Sequence, residues 1–357
     1  MTNKMRKAGL YVLYAALCAF VIAIILSIGD AGEIINTIGN ADIKYLLAAV
    51  GLLLVYMALY PISLCILTRA NNKTVSLRTT YGIAMTEHFF NGITPFATGG
   101  QPFQVYAFKR AGVTIAESSS LLLMNFFVFM LVTNGFAACA LFYFKRFVTD
   151  GAMTAIAIIG FTINFVVLAV TLGIATSKTA RNLFSKIVNL LAKFRLTRRF
   201  IESKTDSMNE YFANLQSAFR ALIKKKWVFL FAISTKILSM FAYYSTTFFI
   251  LRALYVDVPV NELFFIISGT SFAITMVVFL PTPGSSGGIE FAFKSVFASI
   301  MGVYSANEML DSVATGGMII WRLLTYYLVM MISLVFYVIL EATFQHREKR
   351  AQKEQTN

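Results

Sequence analysis

The chain has 357 residues, of which 58% are apolar, 15% aromatic and only 13% charged. That balance excludes an ordinary soluble globular protein, in which about a quarter of residues are charged. The formal charge of +14 raises nucleic-acid binding, but the basic residues sit mainly in segments between apolar stretches, the pattern that orients membrane spans, so no nucleic-acid partner is expected.

Apolar stretches of about 20 residues or more match the bilayer core of roughly 30 Å. The expected fold is an all-α polytopic membrane protein with about six full spans and two re-entrant broken-helix hairpins, six to eight membrane helices in all. One integral domain covers 1–343, and a short basic tail follows over 344–357. Lys4, Arg6 and Lys7 precede an apolar run from Ala8 to Ile28. That run is long for a signal peptide and lacks a clear cleavage site, so it is predicted as a retained first span.

Span two is predicted over about 44–67, followed by an inner loop with Arg69, Lys73 and Arg78. Residues 81–111 are predicted as a hairpin entering from the inside. Spans three and four cover about 118–144 and 152–175. Residues 176–226 carry twelve Lys or Arg, with Leu183, Ile187, Leu190, Leu191 and Phe194 at helical spacing. They fit a basic amphipathic helix on an anionic leaflet, and equally an ordinary inner loop. Span five, about 227–254, leads to a second hairpin over 261–303 that enters from the outside, and a last span covers about 313–340. This topology places 24 of the 31 Lys and Arg inside and three outside, with both termini cytoplasmic. If 261–280 crosses fully, eight or more spans result.

Each hairpin carries a matching break. Thr94-Pro95-Phe96-Ala97-Thr98-Gly99-Gly100-Gln101-Pro102-Phe103 aligns with Thr282-Pro283-Gly284-Ser285-Ser286-Gly287-Gly288-Ile289-Glu290-Phe291. Pro and paired Gly end helices and free backbone groups, which lipid cannot satisfy. Such breaks at corresponding places in two halves point to a transport site within an inverted internal repeat. The alternative is two unrelated turns that share common turn residues.

Ionisable groups inside membrane segments are the other signal, because each costs about 2.5–3.5 kcal/mol or more at the bilayer centre. Glu290, Arg322, Glu87 and Lys236 fall in this class. Arg322 and Lys236 suit a lipid phosphate, while Glu290 and Glu87 suit a cationic headgroup or the neutralisation of an empty site. The candidate substrate-binding set is these four with Thr94, Pro95, Thr98, Gly99, Gly100, Gln101, Pro283, Ser285, Ser286, Gly287 and Gly288. Backbone N–H groups at the broken helix ends would add anion-binding capacity. The competing role is a structural lock, equally weighted for Arg322 and Glu290. It is favoured for Lys236, whose long side chain can snorkel, and Arg252 and Lys294 read as interfacial.

Cys18, Cys65 and Cys139 lie in apolar spans without metal-ligand spacing, and His88 and His346 are far apart, so neither a disulfide framework nor a metal site is expected. Ser285 and Ser286 have no histidine partner, and neither Gly-Gly stretch continues into the Lys-Ser/Thr of a phosphate-binding loop. No cofactor or catalytic residue is implied.

At these motifs the chain resembles the lysylphosphatidylglycerol synthase transmembrane, or flippase-domain, family. The resemblance rests on Thr94-Pro95 through Gln101-Pro102 with Tyr106 and Lys109, on Pro281 through Gly288 with Glu290, and on Arg322 before Thr325-Tyr326-Tyr327. It implies a bacterial inner-membrane protein that moves anionic or lysyl-modified phospholipid between leaflets and supports resistance to cationic antimicrobial peptides. Longer family members add a soluble domain that transfers lysine from lysyl-tRNA to phosphatidylglycerol, and no counterpart is expected in this chain. A flippase is therefore the first reading. A phosphatidylglycerol lysyltransferase is the enzymatic alternative, and a non-catalytic membrane partner of such an enzyme is the third. Self-association is left open.

Overall fold

A computed structural model describes residues 39–71, 74–148, 151–177, 223–304 and 310–356, with 179, 186, 216, 217 and 219–221. The predicted first span at 8–28 and most of the basic segment 176–226 lie outside the described residues.

Helix α1, Ile43–Leu59, starts where the Asp42 carboxylate accepts from the Lys44 N–H at 2.9 Å. It stops before Pro61, and α2 (Ile62–Asn71) continues the same 29-residue apolar run. Pro61 has no N–H for the Met57 carbonyl. The Tyr81 hydroxyl approaches the Met57 and Ala58 carbonyls at 3.4 Å and takes that place. Next come α3 (Leu77–Met85), capped by Ser76, then α4 (Glu87–Gly92), a tight turn at Pro95–Ala97, and α5 (Gly100–Arg110). Thr114 caps α6 (Ile115–Ala140), which runs through a short turn into α7 (Phe144–Phe147). Helices α8 (Gly151–Thr176) and α9 (Lys226–Ala253) follow. The second hairpin is α10 (Leu263–Val277), a turn at Pro283–Ser285, and α11 (Gly288–Tyr304). The chain closes with α12 (Leu310–Arg322), one π-helical stretch over Leu323–Leu328, and α13 (Val329–Thr356). The predicted basic tail is thus a continuation of the last helix.

Among the described residues, six helical stretches are long and apolar enough to cross a membrane: Ile43–Asn71, Ile115–Phe147, Gly151–Gly173, Lys226–Ala253, Val260–Val277 and Val313–Arg350. Five coincide with predicted spans. The other, Val260–Val277, is the first arm of the second hairpin, and the chain turns back at its end to pack α11 against α10.

The arrangement has two ends. At one, the Lys225 ammonium meets the Ala70 carbonyl, Arg347 reaches Thr79, and Arg110 pairs with Glu341 and Glu348. Both outer ends of the first hairpin, near 77 and 110, lie here. At the other, the Asp42 N–H donates to the Ala253 carbonyl at 2.9 Å. The Arg146 guanidinium lies 3.9 Å from the Phe265 ring, and Tyr304 stands beside Glu262 and Arg146. Both outer ends of the second hairpin, near 262 and 304, lie here. Each hairpin therefore enters and leaves at one end, and the two enter at opposite ends.

The same anchors show that α1–α2 and α9 run antiparallel, with 42 beside 253, 60 beside 236 and 70 beside 225. Packing repeats across the halves. Helix α6 lies against α5 and against α10 of the other half; α12–α13 lie against α11 and against α3 and α4 of the other half. Equivalent elements in reversed orientation, with equivalent neighbours, make an inverted repeat.

Candidate functional site

The two breaks share one backbone conformation. After Thr94 (φ −115°, ψ 143°) and Thr282 (φ −104°, ψ 149°), both of them extended, comes a proline. Then two residues enter the left-handed region: Phe96 (φ 55°) and Ala97 (φ 51°) in the first, Gly284 (φ 59°) and Ser285 (φ 53°) in the second. The Ala97 and Ser285 N–H groups donate to the Thr94 and Thr282 carbonyls at 3.3 and 3.0 Å. The Thr98 and Ser286 hydroxyls donate to the Pro95 and Pro283 carbonyls at 3.0 and 2.8 Å. Three of the four left-handed residues are not glycine, and each carries a steric cost of about 1–2 kcal/mol. The shape is thus held by its surroundings and not by local preference.

Those surroundings differ between the hairpins. At the first, the Thr94 hydroxyl donates to the Phe90 carbonyl at 2.7 Å and accepts from the Gly99 N–H at 2.8 Å, while Asn91 accepts from the Gly100 N–H at 2.9 Å. At the second, the side chain of Arg322 does the holding. Its Nε donates to Glu290 Oε1 at 2.7 Å, and its Nη2 donates to the Gly284 carbonyl at 2.9 Å and the Ser286 hydroxyl at 3.0 Å. The other oxygen of Glu290 accepts from the Gly287 N–H at 2.6 Å. Three backbone donors expected to be available to an anion, those of Gly99, Gly100 and Gly287, are therefore engaged by the protein itself.

The tips touch each other and the last helix. Pro95–Ala97 packs on Pro283–Ser285. The Tyr326 hydroxyl donates to the Gly92 carbonyl at 2.7 Å, while its ring lies 4.3 Å from the Arg322 guanidinium. A Cβ on Gly284 would come within 2.4 Å of that ring, so glycine is required by space as well as by φ. Arg322 and Tyr326 flank the start of the π-helical stretch, midway along the apolar part of the last helix. Such stretches recur where a helix departs from regular packing at a functional site.

Between the tips lies a cavity of about 250 Å³. Its wall includes Asn91, Gly92 and Ala97 from the first hairpin and Gly284, Ser285 and Ile289 from the second. Tyr56, His88, Tyr243, Trp321, Arg322, Thr325 and Tyr326 complete much of the remainder. Of the predicted site residues, Arg322 and Ser285 face this space. Thr94, Pro95, Thr98, Gly99, Gly100 and Gln101 form the first tip and its helix start; Pro283, Ser286, Gly287 and Gly288 form the second. Glu290 stands behind Arg322.

Glu87 and Lys236 lie behind the Tyr56–His88 wall in a separate cluster. Lys236 is fully buried (0% exposed), which corrects the expectation that it snorkels to an interface. Its ammonium donates to the Tyr60 carbonyl at 3.1 Å and sits 3.4 Å from the centre of the Tyr60 ring. A cation this far inside is retained only with such partners. Glu87 is buried at the start of α4, faces Tyr60, and accepts from the Gln104 amide at 3.4 Å. The four charges thus form two clusters rather than one chamber. Arg252, by contrast, holds the Val258 carbonyl at 2.6 Å and tethers the end of α9.

The aromatic wall was not legible in the sequence as a unit. Trp321 and Tyr326 flank Arg322 and were visible as its neighbours. Tyr56, Tyr243 and His88 come from three separate elements and carried no spacing signal. The buried indole N–H of Trp321 has no hydrogen-bond partner among the described residues.

The fold and the tip junction define a polytopic all-α membrane protein built on an inverted repeat of broken hairpins. Residues 10–333 match the family described as the lysylphosphatidylglycerol synthase TM region, and the chain belongs to that family. It is also similar to a UPF0104 membrane protein of Methanothermobacter thermautotrophicus, with 24% identity over 318 residues, covering 86% of this chain and 88% of the relative.

Proposed function

We propose that this protein moves a phospholipid, anionic or lysyl-modified as the family name suggests, or a related lipid-linked amphiphile, between membrane leaflets. One observation carries the reading: two hairpins from opposite ends of the fold meet at a cavity of aromatic and aliphatic side chains with a few polar groups, midway along the last helix and beside a buried arginine. In such an arrangement small displacements of one hairpin against the other would open the cavity to one side at a time. Arg322 supplies a planar cation for a phosphate, and the aromatic wall supplies faces for apolar or cationic groups. On this reading both termini are cytoplasmic, with the first hairpin entering from the cytoplasmic face.

The test is leaflet exchange of headgroup-labelled phospholipids in proteoliposomes holding the purified chain. The expected result is exchange faster than in protein-free vesicles, reduced by substitutions at Arg322. Exchange at the protein-free rate for neutral, anionic and lysyl-modified headgroups alike would overturn the proposal. Appearance of new lysyl-lipid in cells expressing the chain would instead favour a lysyltransferase.

A further inference from the structure

The cluster behind the cavity wall makes none of the hydrogen bonds within the two turns, although Glu87 joins α4 to α5 through Gln104. The cluster's carboxylate and its ammonium sit on different elements: Glu87 opens α4 within the first hairpin, and Lys236 lies in α9, which pairs with α1 outside it. Tyr60, at the break between α1 and α2, stands between them and touches both. We propose that Glu87 and Lys236 form a proton-binding site that couples displacement of the first hairpin to the uptake of one proton; this rests on the transport reading above and names the ion that drives it.

The coupling is electrostatic. With the hairpin packed as seen, a Glu87 carboxylate and a Lys236 ammonium leave the cluster with no net charge, and each is buried beside the other's partner. Gln104 from α5 adds a neutral donor to Glu87, and the other titratable groups facing the cluster are Tyr60 at the α1–α2 break, Tyr56 of α1, Tyr243 of α9 and His88 beside Glu87 itself. Withdrawing the hairpin from Tyr60 moves the carboxylate away from the ammonium that Tyr60 holds. A buried carboxylate without its cation costs several kcal/mol, whereas the neutral acid does not. The separated state is therefore reached with a proton added to a Glu87 oxygen, and repacking returns that proton to water.

The cavity is close to this cluster. His88 and Tyr56 both line the cavity, and the His88 Nε2 and Tyr56 hydroxyl lie 3.4 Å apart. The His88 ring also lies 4.5 Å from the Tyr60 ring, so the cluster is one residue layer from the cavity. Lys236 keeps its carbonyl and ring contacts whichever state Glu87 is in, because both contacts belong to Tyr60 and not to the hairpin.

The experiment uses the full chain in proteoliposomes with an imposed pH difference. The steady distribution of a labelled phospholipid between leaflets is read, alongside infrared difference spectra on a pH change. If one proton moves with each lipid, that distribution shifts by about tenfold per pH unit. Spectra of the wild type should show a buried carboxylic-acid band that is missing in Glu87→Gln, and the distribution in that variant should no longer follow the gradient. Fast exchange that stays evenly distributed under the gradient overturns the coupling and leaves the transport reading intact. No exchange at any pH sinks the transport reading and the coupling with it. Coupled transport without a Glu87-dependent band moves the proton to another group and overturns the assignment.

Discussion

Phe96 and Gly284, 188 positions apart, hold the same left-handed backbone conformation, φ 55°, ψ 17° against φ 59°, ψ 23°. Their demands on the side chain differ. Phe96 is 57% exposed, so its ring contributes little packing and its conformation costs about 1–2 kcal/mol. Gly284 faces the Tyr326 ring, which is pinned through its hydroxyl to the Gly92 carbonyl. Phe96→Gly should therefore change thermal stability in detergent by less than about 1 kcal/mol. Gly284→Ala should lower it by about 2 kcal/mol or more, since strain and overpacking add. Equal effects of the two substitutions would show that the tips are not held as described.

Arg322 and Glu290 predict a separation between shape and chemistry. Removing one member of a buried pair strands the other, at about 3–5 kcal/mol. With Glu290 partly exposed (18%), the lower end applies to Arg322→Ala and Glu290→Gln. Arg322→Lys keeps the charge but cannot serve Glu290, the Gly284 carbonyl and the Ser286 hydroxyl together. It should retain membrane insertion, lose leaflet exchange by about tenfold or more, and lower stability less than Arg322→Ala. Wild-type exchange in all three variants would reduce the pair to scaffolding.

The opposed entry of the hairpins is open to a labelling test. Leu77 (50% exposed) adjoins the first hairpin at one end, and Val260 (68% exposed) adjoins the second at the other. Single cysteines there, in a background where Cys18, Cys65 and Cys139 are replaced by serine or alanine, should react with a membrane-impermeant thiol reagent from opposite sides. Intact cells and inverted vesicles distinguish the two. Reaction of both from one side would rule out an inverted repeat.

Much of this was legible because it depends on residues close in sequence. Pro95 and Pro283 with their Gly-Gly pairs announced both breaks, and the loop charges ordered the ends. Glu290 and Arg322 stood out as charges in apolar segments. What stayed hidden depends on contacts between distant elements. Nothing near Lys236 says that the Pro61 break will present the Tyr60 carbonyl and ring to it, so a lysine near the middle of a span reads as one that can snorkel. The aromatic wall was hidden for the same reason, since Tyr56, His88 and Tyr243 meet only once α1, α4 and α9 are packed.

A last prediction concerns the seam between α8 and α10. A Cβ on Gly160 would lie 2.3 Å from the Met276 carbonyl oxygen. Nearby, the Asn164 amide donates to the Thr275 carbonyl at 3.2 Å, so side chain and backbone contacts fix the two helices at one separation. Small residues at such crossings let helices associate in lipid, where burial of apolar surface offers no driving force. The obstruction is backbone, which cannot swing aside as a side chain can. Gly160→Ala should therefore destabilise the folded protein by about 1–3 kcal/mol, and Gly160→Leu should do so further. Because α10 is the first arm of the second hairpin, the same displacement should move the Pro283–Ser285 turn and lower exchange as well as stability. Thermal unfolding and exchange measured on the same preparations would check this, and an unchanged melting temperature in Gly160→Leu would show that α8 does not press on the hairpin at this point.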